Sequence, residues 1–359
     1  MTVPGTTPED HPAVRLLAAL VAIPSITTEE APIVAFLAGW LREHGLHPRV
    51  DDRNIDVRVQ GKEPGPTLLF STHTDTVPVG TGWTVDPFHP AIRGGRMFGR
   101  GSNDAKASVA AMAVATVALK IRPPDKGTLI FAPTCEEERG RKGLEVFLPS
   151  LGPIDAALVG EPTQLQPAVA QNGLLILDLV AQGRAGHAAR PHLAVNAIEV
   201  AARDIAALKA LTFEPHDPHV GPMTLVVTQI NAGSAHNVIP GECRMVVDIR
   251  TIPAIPPADV IARVRAAVES DVVVRSDRLP PVHTPEGARI LDAILQVSPD
   301  AVPFGSPTLS DWAHLKGIPA VKIGPGISAV SHTADEWVEI RQVFDAARVY
   351  EQVARRYLS

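Results

Sequence analysis

Three short apolar runs, each followed at once by metal-seeking side chains, constrain this chain more than anything else in it. Thr67 to Ser71 leads into His73 and Asp75, Thr128 to Thr134 into the glutamates Glu136-Glu137-Glu138, and Ala156 to Val159 into Glu161. Runs this short, bounded by turn residues, predict buried strands. Between and before them lie segments of helical spacing: Ala13 to Ala22, stopped by Pro24; Ala31 to Glu43, ended by Gly45; and the Ala/Val-rich Lys106 to Leu119. Asp104, in Gly99-Arg100-Gly101-Ser102-Asn103-Asp104, therefore falls just before a helix start. Strand, ligand and helix in repetition predict an α/β sheet, with the site at the carboxyl ends of its strands.

The pattern changes near Gly173. Leu174 to Ala181, Met223 to Ile230, Arg244 to Ile249 and Val272 to Val274 read as strands, with helices at Ala194 to Lys209 and Asp259 to Val268. That β-α-β-β-α-β order is the split-βαβ unit of ferredoxin-like domains. The α/β pattern then resumes with a helix at Arg289 to Leu295, a strand at Ala320 to Ile323 and a terminal helix at Arg341 to Tyr357. The expectation is one domain made of 1–172 and 280–359, with a second domain, 173–279, inserted into it. His332, in Ser331-His332-Thr333-Ala334-Asp335-Glu336, lies beyond the insertion.

With 359 residues the chain is comfortable for two cores. A net charge of −6 argues against nucleic-acid binding, which usually needs a basic patch. Cys135 and Cys243 form no C-x-x-C pair, so no disulfide framework is expected, and a reducing cytoplasm is the natural setting. Met1 to Pro12 has no basic segment leading into an apolar stretch, and no run approaches the roughly 20 apolar residues of a membrane span.

Two imidazoles, a central aspartate and further carboxylates are what a carboxylate-bridged pair of divalent ions needs. Two such ions repel, and a carboxylate relieves this by giving one oxygen to each; Asp104 is assigned that bridge. The donor set suits zinc, with cobalt or manganese as alternatives. Asp75, two residues from His73, can take the ring N–H of His73 and orient it. A lone His-x-Asp is as readily decorative, and three glutamates in a row are as readily a solvated turn. Here, however, the glutamates follow a buried strand, where a carboxylate beside a metal ligand can take a proton from an activated water. His187, in Gly183-Arg184-Ala185-Gly186-His187, is a further candidate on a Gly-flanked loop.

Taken in order, these segments resemble the co-catalytic zinc family of acetylornithine deacetylase, succinyl-diaminopimelate desuccinylase, carboxypeptidase G and aminoacylases, over about residues 15 to 345. The resemblance implies a catalytic α/β domain with a central mixed sheet, plus an inserted ferredoxin-like α+β lid that forms a homodimer. It implies that His73, Asp104 and Glu161 hold one ion and Asp104, Glu138 and His332 the other, with Asp75 orienting His73. The family pattern Glu-Glu-x-Gly-x-x-Gly, set against Glu137-Glu138-Arg139-Gly140-Arg141-Lys142-Gly143, makes Glu137 the base and Glu138 the ligand. One register earlier, Glu136 would be base and Glu137 ligand. The resemblance also implies that His187 reaches a neighbouring subunit's site and stabilises the oxyanion. Asn237 and Arg250 would contact substrate, and the Gly324-Pro325-Gly326 loop would offer it backbone N–H groups. Ser310-Asp311 resembles a pocket segment less closely. Ala105 and Ala107 depart from the family's usual Met and Gly. The implied reaction is hydrolysis of an N-acyl amino acid, with N-acetylornithine of arginine biosynthesis preferred. Alternatives are the desuccinylase, a dipeptidase or carboxypeptidase, and a metal-free homologue that only binds.

Overall fold

The computed structural model describes residues 8–140 and 142–359. The first seven residues of the amino-terminal stretch, and Arg141 of the glutamate-glycine motif, lie outside the described residues. No helix among the described residues is long and apolar enough to cross a membrane. The chain divides into two compact units: 1–169 with 284–304 and 310–359, and 170–283 with 305–309.

The first unit is built on a sheet whose heart is four parallel strands, side by side in the order Lys126–Thr134, Glu63–His73, Ala156–Val159 and Ala320–Lys322. Asn54–Gln60 adds antiparallel to Lys126–Thr134, and Ala168–Gln171 antiparallel to Ala320–Lys322, so the sheet is mixed. The parallel strands are apolar on both faces, as strands covered on both sides must be. Leu68, Leu69, Phe70, Leu129, Ile130, Phe131, Leu158 and Val321 are all fully buried.

Helix Lys106–Ile121 is buried on nearly every side, which its run of alanines allows by letting neighbouring backbones approach. Pro12–Val21, Ala31–Glu43 and Ile340–Tyr357 share its core. The hydroxyl of Tyr350 reaches back to donate to the carbonyl of Ile323 at 2.7 Å, beside the end of Ala320–Lys322.

The hairpin Arg49–Asp51/Asn54–Gln60 has no counterpart in the sequence reading. Its signal was present, since Ile55, Val57 and Val59 alternate with Asp56 and Arg58 and all three are buried. A second small sheet joins Ala91–Arg93, Arg96–Phe98 and Trp337–Glu339, with Trp337 opposite Phe98. Strands of three residues leave too little pattern to read.

The second unit is a four-stranded antiparallel sheet in the order Thr224–Ala232, Glu242–Thr251, Gly173–Gln182, Asp271–Leu279. By chain order this is second, third, first, fourth, the split-βαβ arrangement. One face carries Leu175, Leu177, Leu179, Cys243, Met245, Val247 and Ile249, all buried in one cluster with residues of helices Ala197–Ala210 and Pro257–Ala267. The unit runs from Ala170 to His283 and also takes in Gly305–Leu309, a segment the sequence reading left in the first domain.

Candidate metal centre

Parallel strands end on one edge, and this edge gathers the predicted ligands. His73 is the last residue of its strand and pairs with Thr134, the last residue of the neighbouring one. The glutamate run therefore starts beside His73. Glu161 follows Val159, whose strand is the other neighbour of Glu63–His73.

Asp104 is the centre of the arrangement. Its Oδ1 lies 3.3 Å from His73 Nε2, and its Oδ2 lies 3.5 Å from His332 Nε2. One oxygen therefore faces each imidazole, the disposition a bridging carboxylate requires. On the first side, Glu161 Oε1 is 3.7 Å from His73 Nε2. On the second, Glu138 Oε1 is 2.9 Å from His332 Nε2. Ligand atoms of His73, Asp104 and Glu138 all lie within 4.8 Å of one another. His73 is buried, whereas the His332 side chain is 51% exposed, so solvent reaches the cluster from the second side. His332 holds a left-handed backbone, φ 65°, which costs a residue with a Cβ about 1–3 kcal/mol and persists only where neighbours enforce it.

The electrostatics fit cations. Burial pushes the Glu161 carboxyl up to about 8, with Asp104 repelling it further. Burial also raises Glu137 well above the ordinary carboxyl range, and raises Glu138. Asp104 runs the other way: burial opposes its charge, but His73 and His332 hold its pKa low. Lys322, also buried near Glu161, is itself pushed down to about 8 by burial. Crowded carboxylates that resist ionising, with imidazole nitrogens aimed among them, form a donor set suited to divalent ions.

The three glutamates separate cleanly. Glu136 pairs with Arg53, which also pairs with Glu30, and accepts the Lys142 N–H at 3.2 Å. Glu138 meets His332. Glu137 makes neither contact, and its electrostatic neighbours are His73, Glu161, Glu138 and Asp311. Asp75 does more than sit by His73. Its carboxylate accepts the N–H groups of Glu137 at 3.0 Å and Glu138 at 3.2 Å, and the Thr27 hydroxyl at 2.8 Å. His73 Nδ1 is 3.0 Å from the Asp75 carbonyl and 3.4 Å from its carboxylate. Asp75 thus fixes both the imidazole and the second and third glutamates of the acidic run.

One expectation is corrected. Gly324 and Gly326 do not offer free N–H groups: Gly324 donates to Thr163 Oγ1 at 3.0 Å and Gly326 to Gln342 Oε1 at 2.7 Å. Their glycines serve close approach instead. A Cβ on Gly326 would stand 2.2 Å from Asn103 Oδ1, and one on Gly324 would stand 2.5 Å from the Glu161 carbonyl oxygen. Asp311 is buried, accepts from the Thr134 hydroxyl at 3.2 Å, and is pushed by burial up to about 6.

In the second unit, His187 is exposed, and its Nδ1 accepts the Ala189 N–H at 3.0 Å. The two-residue strand Gly186–His187 pairs with Val238–Ile239, and the Asn237 carbonyl accepts the Ala188 N–H at 3.0 Å, which brings His187 and Asn237 together. The Arg250 fork is already engaged by Asp248, at 2.9 and 3.3 Å.

Glu336 is the residue the sequence reading passed over. In sequence it is only the tail of the His332 motif, yet it is buried and its oxygens take the N–H groups of Gly101, Asn103 and Asp104. A glutamate four residues past a ligand histidine was the one available signal.

The profile of Peptidase family M20/M25/M40 matches residues 69–356. The succinyl-diaminopimelate desuccinylase of Thioalkalivibrio sulfidiphilus is 32% identical over 362 residues, covering 93% of this chain and 96% of that protein. Among solved structures, the aminopeptidase PepT from Bacillus cereus matches with a TM-score of 0.80 at 21% identity, over 98% of this chain and 99% of that one. Bacillus subtilis YXEP, described as a dinuclear metal-binding peptidase from the M20 family, gives 0.78 at 17% identity, over 96% and 97%. At these identities the two structures speak for the fold alone.

Proposed function

The chain belongs to Peptidase family M20/M25/M40 and is a metal-dependent hydrolase; from that premise we propose that it cleaves the amide bond of an N-acylated amino acid, using two divalent ions. The observation that carries the reading is Asp104, with one oxygen toward His73 and the other toward His332. His73, Glu161 and Asp104 would hold one ion, and Glu138, His332 and Asp104 the other. Zinc suits two imidazoles among carboxylates, and cobalt is the natural substitute. When bound, such ions lower the pKa of water and polarise a carbonyl.

Within the chain's own residues, Glu137 is the base. It takes the proton of the attacking water and returns it to the leaving amine. The Asp75 carboxylate accepts its backbone N–H at 3.0 Å and so fixes its place beside His73. The engagement of Glu136 by Arg53 supports this register over the one a residue earlier. On family likeness His187 is assigned stabilisation of the oxyanion at a neighbouring subunit's site and Asn237 and Arg250 substrate contacts, and Arg250 must exchange Asp248 for a substrate carboxylate to serve as one.

The preferred substrate changes. The sequence reading placed N-acetylornithine first, whereas the named relative above is a succinyl-diaminopimelate desuccinylase, so N-succinyl-diaminopimelate now leads. A panel run with added zinc or cobalt decides: N-succinyl-diaminopimelate, N-acetylornithine, N-acetylmethionine and several dipeptides. The first should be turned over with the highest kcat/KM. A clear preference for dipeptides would overturn the substrate, and metal bound without hydrolysis of any amide would overturn the reaction.

A homodimer through the second unit is proposed from its edge strand. Thr224–Ala232 pairs on one side only, and exposes Val226 at 54% and Ile230 at 50%. An open edge with apolar side chains invites a partner strand. Light scattering should return twice the 38.1 kDa chain mass, and Val226→Lys with Ile230→Lys should return it once; a monomeric parent would end this reading.

A further inference from the structure

Asp104 and His332 lie 228 residues apart in the chain, and what brings them together is a feature of this molecule that the ligand set does not explain. The pairing of Trp337 with Phe98 sets two segments side by side: the loop 99–104, which ends in Asp104, and the segment 331–336, which begins next to His332. Gly99 donates its N–H to the Glu336 carbonyl at 2.9 Å, continuing that ladder by one step.

The Glu336 side chain then turns into the loop. Its Oε1 accepts the N–H groups of Asn103 and Asp104, each at 3.0 Å. Its Oε2 accepts the Gly101 N–H at 3.1 Å and Arg100 Nη1 at 2.6 Å. Four donors converge on two oxygens of a side chain that is 1% exposed. The other side of the loop is held from before His332. Asn103 Nδ2 donates to the Ile327 carbonyl at 3.1 Å and to Ser331 Oγ at 3.0 Å, and its Oδ1 accepts the Ile327 N–H at 2.8 Å. His332, on its left-handed backbone, sits between these two attachments.

We propose that Glu336 is a positioning residue: by binding the backbone of the Asp104 loop from four residues beyond His332, it sets Asp104 against His332 and so governs the affinity for the ion they share. The inference rests on the reading of Asp104 and His332 as ligands. Glu336 touches neither ligand side chain; it fixes the N–H of one ligand and the chain that delivers the other. A glutamine keeps the shape but turns one acceptor into a donor, facing backbone N–H groups of Gly101, Asn103 and Asp104 that, among the described residues, bind only this carboxylate.

The test is calorimetric titration of zinc into the chelator-stripped full chain. The parent should take up two ions. Glu336→Gln should bind zinc about 10–100-fold more weakly, the range usual for partners that orient metal ligands. Its activity should fall at limiting zinc and return in excess zinc, and its cobalt-substituted absorption spectrum should differ from the parent's. Asp204→Asn is the control: Asp204 is also a buried carboxylate accepting two backbone N–H groups, those of Glu269 and Ser270, but in the second unit. It should lower Tm without changing zinc affinity.

Unchanged zinc affinity in folded Glu336→Gln overturns the proposal, as does equal weakening in Asp204→Asn. Should Glu336→Gln fail to fold, Asn103→Ala carries the same expectation and the same refutation, because it removes only the second attachment. A parent chain that binds no zinc would instead remove the ligand reading itself, and would do so before any variant is made.

Discussion

Glu137→Gln should retain its metal and lose turnover, with kcat down about 10²–10⁴-fold, the usual contribution of a positioned general acid–base. The carboxyl meets neither His73 nor His332, so its removal leaves both imidazoles and Asp104 in place. A carboxylate can accept a proton from water and then give it up to an amine; an amide can do neither. Zinc content should stay at the parent value while KM changes little. Glu136→Gln is the discriminating partner. Glu136 faces Arg53 and the Lys142 N–H, so its loss leaves the half-buried Arg53 guanidinium to Glu30 and, at 3.6 Å, Asp52, and should cost about 1–3 kcal/mol of stability, with kcat largely kept. The reverse result, activity lost in Glu136→Gln and kept in Glu137→Gln, would move the base one residue earlier.

What the sequence made legible here has a physical reason. His73, Glu137, Glu138 and Glu161 could be placed at the sheet edge because His73 ends a strand and the glutamates follow strands parallel to it, and parallel strands must end on a common edge. The split-βαβ unit was legible because its four apolar runs and two helical segments follow one another in β-α-β-β-α-β order; which face of Gly173–Gln182 is buried, that of Leu175, Leu177 and Leu179, only the structure shows, since Ile176 and Val180 opposite are apolar too. Contacts closed over long sequence distances left no such trace. That Glu336 would bind the N–H groups of Gly101, Asn103 and Asp104 depends on Trp337 meeting Phe98, a pairing of two three-residue strands with no periodicity of their own. Lys106 was noted only for its flanking alanines. In the structure it is wholly buried, its amine donates to the carbonyls of Leu20 and Ile23 at 3.0 and 2.9 Å, and it thereby closes the end of helix Pro12–Val21. The Gly324-Pro325-Gly326 loop misled because glycine allows both exposed N–H groups and close packing, and only the partners Thr163 and Gln342 tell which applies.

Chelation should abolish activity and also reverse how stability depends on pH. In the ion-free chain Glu161 has a folded pKa of about 8 against an ordinary 4.5, and Glu137 and Glu138 are displaced the same way, first by burial and then by neighbouring carboxylates, Glu161 and Glu138 acting on Glu137 and Asp104 on Glu138. Between those values the folded chain binds more protons than the unfolded one, so stability falls as pH rises. His73 adds to the trend. Burial opposes its charge, but Asp104 and Asp75 raise its pKa overall. Its contribution is complete below 6.5 and is lost as pH climbs through the folded value. Asp75 and Asp104 have lowered pKa values, so what they contribute is complete above 3.8 and is lost only on acidification, outside this window. From about pH 5 to about pH 7 the chelated protein should therefore lose on the order of a few kcal/mol, a fall in Tm of roughly 5 °C or more; above that, Lys106, pushed down to about 7 by burial, begins to oppose the trend. Bound cations favour the ionised carboxylates, so the zinc-loaded protein should not follow, and the gain in Tm on adding zinc should widen with pH. Glu161→Gln removes a charge that the fold resists, so its ion-free form should be more stable than the parent at the alkaline end and bind zinc more weakly. Parallel Tm curves for chelated and loaded protein across this range would mean that these carboxylates are not the groups that cations relieve.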